Sequence, residues 1–172
     1  ADCLDLLMAR GINAVRLRVF VHPNSDKING HCSPEETALM AARAKEKGLD
    51  VMLDFHYSDT WADPAHQTKP ATWANVNFAA LKDSVYAHTQ YTLNLVHAAG
   101  VTPKWVQIGN EIPSGLLWPE GHVNNPTQLA QLINSGNQAV KDFNPAIQTI
   151  VHIDQGNDNA RFRWFFDLMQ QN

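Results

Sequence analysis

The residue best placed to do acid–base chemistry is Glu111, which closes the apolar run Trp105-Val106-Gln107-Ile108-Gly109-Asn110. A carboxyl group at the end of a buried strand can protonate a leaving group once desolvation raises its pKa toward neutrality. Gly109 lets a ligand or backbone approach closely, and Asn110 carries both a donor and an acceptor. The competing reading makes Glu111 a plain carboxylate at the N-terminus of the following helix. Polar residues also recur in alternating positions on three other apolar runs: Arg16 and Arg18, Asp54 and His56, His152 and Asp154, with Gln107 in phase with Glu111. A strand covered by helices has no watery side, so polar side chains there need a reason. All four rows lie toward the C-terminal ends of their runs, which points to a shared site. The alternative is a set of buried ion pairs, Arg16 with Asp54 for instance, that hold strands in register.

Aromatic residues follow the same runs: Tyr57 and Trp61 after the second, Trp73 before the next helix, and Trp118 after the third. Flat rings beside Asp59, Asp63, His66 and Gln67 suit a sugar, whose faces are apolar and whose rim is hydroxyls; the same rings also serve as packing. Of the eight histidines, none forms a His-Glu-x-x-His or His-x-His arrangement, so no metal site is expected. His22, His31, His88, His97 and His122 read as loop or helix-surface residues. No Gly-x-Ser-x-Gly elbow occurs and neither cysteine ends a strand, which leaves no Ser or Cys nucleophile. Cys3 and Cys32 permit at most one bridge.

These residues are positioned by a unit that repeats four times: a helix, a Gly that stops it, a short apolar strand and a polar loop. Gly11, Gly48 and Gly100 end the first three helices. The strands read as Ile12 to Phe20, Leu49 to His56, Lys104 to Glu111 and Ile147 to Asp154. Ser33-Pro34-Glu35-Glu36 is a capping box with Pro at the first helical position, and Asn125-Pro126-Thr127-Gln128 reads as a second such start. Strands alternating with long helices imply right-handed crossovers and a parallel sheet, hence the α/β class. No dinucleotide fingerprint or phosphate loop follows any strand, which favours a (β/α)8 TIM barrel. In such a barrel the C-terminal strand ends carry the active site.

The 172 residues carry 13 basic and 17 acidic side chains, a net charge of −4, with 44% hydrophobic and 17% charged residues. That composition excludes disorder and a basic nucleic-acid binder. No apolar run reaches the roughly 20 residues of a membrane span. Both ends read as if cut in mid-helix, so a piece of a longer chain is expected, forming part of one domain over residues 1–172. The first and fourth strands would then expose their edges, an aggregation hazard.

Four segments carry a family resemblance: GINAVRLRVFVHP (Gly11 to Pro23), LDFHYSDTWADPAHQTKPATW (Leu53 to Trp73), QIGNEIPSGLLWPEG (Gln107 to Gly121) and VHIDQG (Val151 to Gly156). Together they resemble the endo-β-1,4-galactanases, family 53 of the glycoside hydrolases, within the clan of retaining (β/α)8-barrel glycosidases. The resemblance implies cleavage inside β-1,4-galactan or arabinogalactan, with Glu111 as general acid/base and Asn110 holding the sugar 2-hydroxyl. It implies that Arg18 orients the nucleophile, with Arg16 one layer deeper. His56, Asp59, Trp61, Asp63, Trp118, His152 and Asp154 would line the substrate cleft, Trp61 and Trp118 as sugar platforms.

Counted by the family, the chain runs from helix 1 to helix 5 and holds strands two to five of eight. The family nucleophile, a Glu on the seventh strand, has no counterpart here, so hydrolysis by the fragment alone is not expected. No cofactor is required; some members hold a structural Ca²⁺ on loops outside this stretch. The expected setting is extracellular, with a polysaccharide substrate, a monomer when complete, and neither nucleic acid nor membrane as partner. The other readings are a mannan- or cellulose-cleaving enzyme of the same clan, a truncated carbohydrate-binding fragment and, third, a metal-dependent hydrolase.

Overall fold

A computed structural model describes residues 2–24 and 31–172. Along them run α1 (Cys3–Met8), β1 (Ala14–Val19), α2 (Pro34–Glu46), β2 (Asp50–Phe55), α3 (Phe78–Ala98), β3 (Trp105–Ile108), α4 (Pro126–Phe143), β4 (Gln148–Ile150) and α5 (Asn159–Gln170), with a 3₁₀ turn at Ala71–Trp73. The four strands form one parallel sheet in the order β1-β2-β3-β4. Sequential order with a helix between each pair of strands is the winding of a barrel wall.

Alternation sets the two faces. Val19, Val51, Leu53, Phe55, Val106 and Ile108 point outward and are buried under the helices. Gly136 of α4 makes the close approach possible: a Cβ there would stand 2.8 Å from the Tyr57 hydroxyl and 2.9 Å from Ile108 Cγ2. The opposite face carries Arg16, Arg18, Met52, Asp54, Trp105, Gln107 and Ile150. Helices cover only the first face. Arg16 keeps 43% of its side chain exposed, and Met52, Trp105 and Ile150 are half-buried, on the face that a closed barrel turns inward. β1 and β4 are the sheet edges, as expected.

The strands are shorter than their sequence ranges, and His56, Asn110, Glu111, His152 and Asp154 all lie just beyond strand ends. The Ser33 capping box forms: Ser33 Oγ accepts from the Glu36 N–H at 3.2 Å, and Glu36 Oε2 from the Ser33 N–H at 3.3 Å. Asn125 does not repeat it. Its side chain makes no cap hydrogen bond and instead donates to the Pro119 carbonyl at 3.2 Å. Cys3 and Cys32 are free thiols, the first exposed and the second buried. No described helix is long and apolar enough to cross a membrane.

Candidate active site

At the C-terminal mouth of the sheet the polar rows merge into one network. Arg16 Nη2 lies 2.8 Å from Asp54 Oδ2 and 2.7 Å from Asn110 Oδ1. Gln107 Nε2 donates to Asp54 Oδ1, to the Gly109 carbonyl at 2.8 Å and to Asn110 Oδ1 at 3.3 Å. His56 is buried; its Nδ1 accepts from the Ala62 N–H at 2.9 Å, which puts its proton on Nε2, 3.3 Å from Asp54 Oδ2. The buried Asp54 carboxylate thus has partners on three sides, as a buried charge requires.

Asn110 is the hub. Its Oδ1 accepts from Arg16, Gln107 and His152 Nδ1, the last at 3.0 Å, and these donors fix which end of the amide is oxygen. Its Nδ2 donates one hydrogen to the Ala62 carbonyl at 2.8 Å, which leaves the other for a ligand. Burial holds the His152 pKa below its ordinary 6.5, and the nearby Arg16 charge adds to that. A neutral ring donating through Nδ1 is the result.

Glu111 follows directly. It is half-buried with φ 48°, a left-handed conformation unusual for a residue with a Cβ. Its carboxylate takes no hydrogen bond and no ion pair among the described residues, while the carbonyls on either side of it, of Asn110 and of Glu111 itself, both accept from Gln67 Nε2. The Glu111 carbonyl accepts from Gln67 Nε2 at 3.2 Å, and the next N–H, of Ile112, donates to the His152 carbonyl at 3.0 Å. Gly109 makes the preceding turn with φ 79°, where a Cβ would strike Ile112 Cγ2 at 2.8 Å. A carboxylate held by its backbone and uncommitted at its tip is equipped to exchange protons with a ligand.

The other expected site residues divide. Arg18 lies with its guanidinium carbon 3.8 Å from the Trp61 ring centroid, and Trp61, 46% exposed, meets Phe20 and His56 edge-on. It is therefore Arg16, the deeper of the two, that reaches Asn110. Trp118 is half-buried, its Nε1 donating to the Ser114 carbonyl at 3.1 Å and its ring 5.2 Å from His122.

Three carboxylates are committed locally. Asp59 accepts from the N–H groups of His22 and Ala71, both at 2.9 Å, and so staples two loops. Asp63 accepts from the Ala65 N–H at 2.8 Å and from His66 at 2.9 Å; these bonds outweigh burial and lower its pKa. Asp154 pairs with Arg161 of α5 at 3.2 Å.

Two aromatic readings change. Tyr57 is fully buried with its hydroxyl 2.8 Å from Thr89 Oγ1, and Trp73 is buried too; neither faces the Glu111 residues. His88, read as a surface residue, is only 8% exposed, edge-on to Phe55, Tyr57 and Trp73. The stripe Leu81, Val85, His88, Thr92, Val96 was the signal that places it inside. It borders a cavity of about 870 Å³ between the loop after β1, the start of α2 and α3, lined by His22, Glu35, Trp73 and Tyr91 and separate from the Glu111 residues. No group of three or more His, Cys, Asp or Glu suited to a metal occurs among the described residues.

A parallel barrel wall whose C-terminal mouth gathers an uncommitted carboxylate, a braced amide and exposed tryptophan has the layout of the active-site end of a (β/α)8 barrel. The model of glycosyl hydrolase family 53 matches residues 1–172, and the chain belongs to that family. It is 41% identical to the arabinogalactan endo-β-1,4-galactanase of Thermothelomyces thermophilus, over 94% of this chain and 48% of that protein. The GH53 catalytic domain of Ignisphaera aggregans superposes with a TM-score of 0.93 at 39% identity, covering 99% of this chain and 48% of that one. A solved fungal β-1,4-galactanase gives 0.90 at 39% identity, covering 97% and 49%. The chain thus spans about half the length of the relatives it matches, and its sheet is part of a (β/α)8 barrel. The resemblance read from the four motif segments is borne out.

Proposed function

We propose that residues 1–172 supply the acid/base half of the cleft of a retaining endo-β-1,4-galactanase. The observation that carries this is Glu111: its carboxylate is uncommitted among the described residues, while both peptide groups beside it are tied down, the first through the Asn110 carbonyl and the second through the Glu111 carbonyl and the Ile112 N–H. Relatives named arabinogalactan endo-β-1,4-galactanase support galactan over mannan or cellulose.

Glu111 donates a proton to the glycosidic oxygen as the bond to the leaving sugar breaks. A second carboxylate, from outside these residues, attacks the anomeric carbon at a separation of roughly 5 Å from Glu111. The ionised Glu111 then takes a proton from the water that releases the glycosyl-enzyme. The remaining N–H of Asn110 faces the sugar 2-hydroxyl, and Arg18 orients the incoming carboxylate. Trp61 and Trp118 offer ring faces to the sugars, with His56, Asp59, Asp63, His152 and Asp154 shaping the cleft around them. The reaction needs no cofactor. Because a polysaccharide does not enter cells, the reaction takes place outside the cell.

The test is reducing-end release from β-1,4-galactan, mannan and carboxymethyl cellulose by the polypeptide that completes the barrel around these residues, with Glu111→Gln in parallel. Galactan is expected to be the preferred substrate, with turnover reduced at least about 100-fold in the variant. Preference for mannan or cellulose would move the assignment to another enzyme of the clan. Binding of galactan without cleavage would favour the carbohydrate-binding reading.

A further inference from the structure

Gln67 lies on the loop between β2 and α3, far from Glu111 in sequence, yet it is 2% exposed and its side-chain amide faces the Glu111 backbone. Nε2 stands 2.9 Å from the Asn110 carbonyl, 3.2 Å from the Glu111 carbonyl and 3.0 Å from the Asp63 carbonyl. Three carbonyls around one atom identify that atom as nitrogen. The Asn110 oxygen belongs to the peptide plane before Glu111 and the Glu111 oxygen to the plane after it. φ and ψ of Glu111 are the two rotations that relate those planes. One NH₂ group, its two hydrogens shared among these carbonyls, limits the separation of the Asn110 and Glu111 oxygens and so restrains φ and ψ together, and with them the Cα–Cβ direction that aims the carboxylate.

That restraint acts on a backbone that needs it. With φ at 48°, Glu111 is in a conformation that costs a side-chain-bearing residue free energy and persists only when its surroundings impose it. The Ile112 N–H to His152 carbonyl bond holds the turn from the other side. Gln67 is itself anchored: its carbonyl accepts from the Trp118 N–H at 2.9 Å, Ser114 Oγ donates to the Pro64 carbonyl at 2.6 Å, and Lys69 pairs with Glu120 at 2.9 Å. The loop carrying Gln67 is thus sewn to the loop carrying Glu111.

We infer that Gln67 is a positioning residue for the general acid/base, setting the direction of the Glu111 carboxylate through the two carbonyls that flank it. This rests on the acid/base reading of Glu111. A carboxylate displaced by about 1 Å loses proton transfer, at a cost on the order of 100-fold in rate, without losing sugar contacts. The signature is dependence on the leaving group. Galactan leaves as a poor alkoxide that must be protonated; 2,4-dinitrophenolate leaves without a proton, so its glycosylation step does not need the acid.

The experiment compares Gln67→Leu with the unchanged polypeptide, in the completed barrel, on galactan and on 2,4-dinitrophenyl β-galactobioside, with Glu111→Ala alongside. Expected for Gln67→Leu is a fall in kcat on galactan of about 10- to 100-fold with KM within about 3-fold, while kcat/KM on the aryl substrate changes less than about 3-fold. Equal losses on both substrates, or none on either, would overturn the inference. Should Gln67→Leu not fold, Gln67→Asn, which keeps the amide but draws it back by one methylene, is expected to show the same asymmetry, and its absence overturns the inference equally. If Glu111→Ala lacks the asymmetry, the acid/base reading itself fails. If Glu111→Ala shows it and the Gln67 variants do not, only the positioning role of Gln67 falls.

Discussion

Arg16 Nη2 lies 2.7 Å from Asn110 Oδ1, so a guanidinium rooted in β1 is bound to the amide that precedes Glu111. The same nitrogen is 2.8 Å from the buried Asp54 carboxylate. One cation therefore satisfies a buried anion and orients a residue of the proposed cleft. Because 43% of the Arg16 side chain is exposed, solvent screens part of the attraction. Arg16→Met leaves Asp54 with only Gln107 and His56. It should cost about 2 kcal/mol in urea unfolding, less than the loss of a wholly buried pair. Arg16→Lys restores the charge but not the forked geometry, so it should recover stability in part and catalysis less. Wild-type stability in Arg16→Met would show that Asp54 is satisfied without the guanidinium.

Gly109 and Gly48 share φ 79° but not their surroundings. A Cβ at Gly48 meets nothing within 4 Å, whereas at Gly109 it would stand 2.8 Å from Ile112 Cγ2. Gly48→Ala should therefore cost about 1 kcal/mol, the conformational term alone. Gly109→Ala adds overpacking beside Glu111 and should cost about 3 kcal/mol together with most of the activity. Chemical denaturation of both variants reads the difference; equal costs would mean that the turn at Gly109 relaxes freely.

Burial lowers the His88 pKa from 6.5 to about 4, and its Nε2 has no hydrogen-bond partner. Between those pH values the unfolded chain holds a proton that the folded chain lacks. The contribution is fully present above about pH 6.5 and is lost as pH falls toward 4, a difference of about 3 kcal/mol. His88→Phe keeps an aromatic ring beside Phe55, Tyr57 and Trp73. It should flatten the decline, leaving the variant more stable than wild type by about 2 kcal/mol at pH 4.5 relative to their difference at pH 7. Parallel pH profiles of the two proteins would place a protonated His88 comfortably in the fold.

Much of the wall could be read in advance because alternation and capping are local. Val51, Leu53 and Phe55 go outward and Asp54 inward by the strand period alone, and Ser33 with Glu36 forms the helix start that its spacing announces. The same period brought Arg16, Asp54 and Gln107 to one face. It could not say which arginine reaches Asn110, because a long side chain spans more than one layer and its partner is decided by the loop after β3. Loop contacts were illegible for a similar reason. Asp59 reads as a cleft carboxylate, but that its two oxygens accept from the backbone amides of His22 and Ala71 is something no side-chain pattern encodes. Gln67 appeared only as a sugar neighbour; its role at the Glu111 backbone depends on a loop path fixed by contacts with Trp118 and Ser114.

Trp61 combines exposure with a face held by the Arg18 guanidinium, the arrangement expected of a rigid sugar platform. Trp61→Ala should raise KM for galactan about 10-fold or more, with a smaller change in kcat, and Trp61→Phe should recover part of the binding. A fall in kcat at constant KM would instead place Trp61 among the groups that act only in the transition state.

Azide rescue of Glu111→Ala tests the acid/base assignment most directly. With 2,4-dinitrophenyl β-galactobioside and the completed barrel, the glycosyl-enzyme forms but water cannot be activated, and azide, which needs no base, should restore turnover and yield the β-glycosyl azide. Rescue with retained configuration is the result required if Glu111 is the acid/base. No rescue, or an α-azide product, would contradict it and assign Glu111 another task.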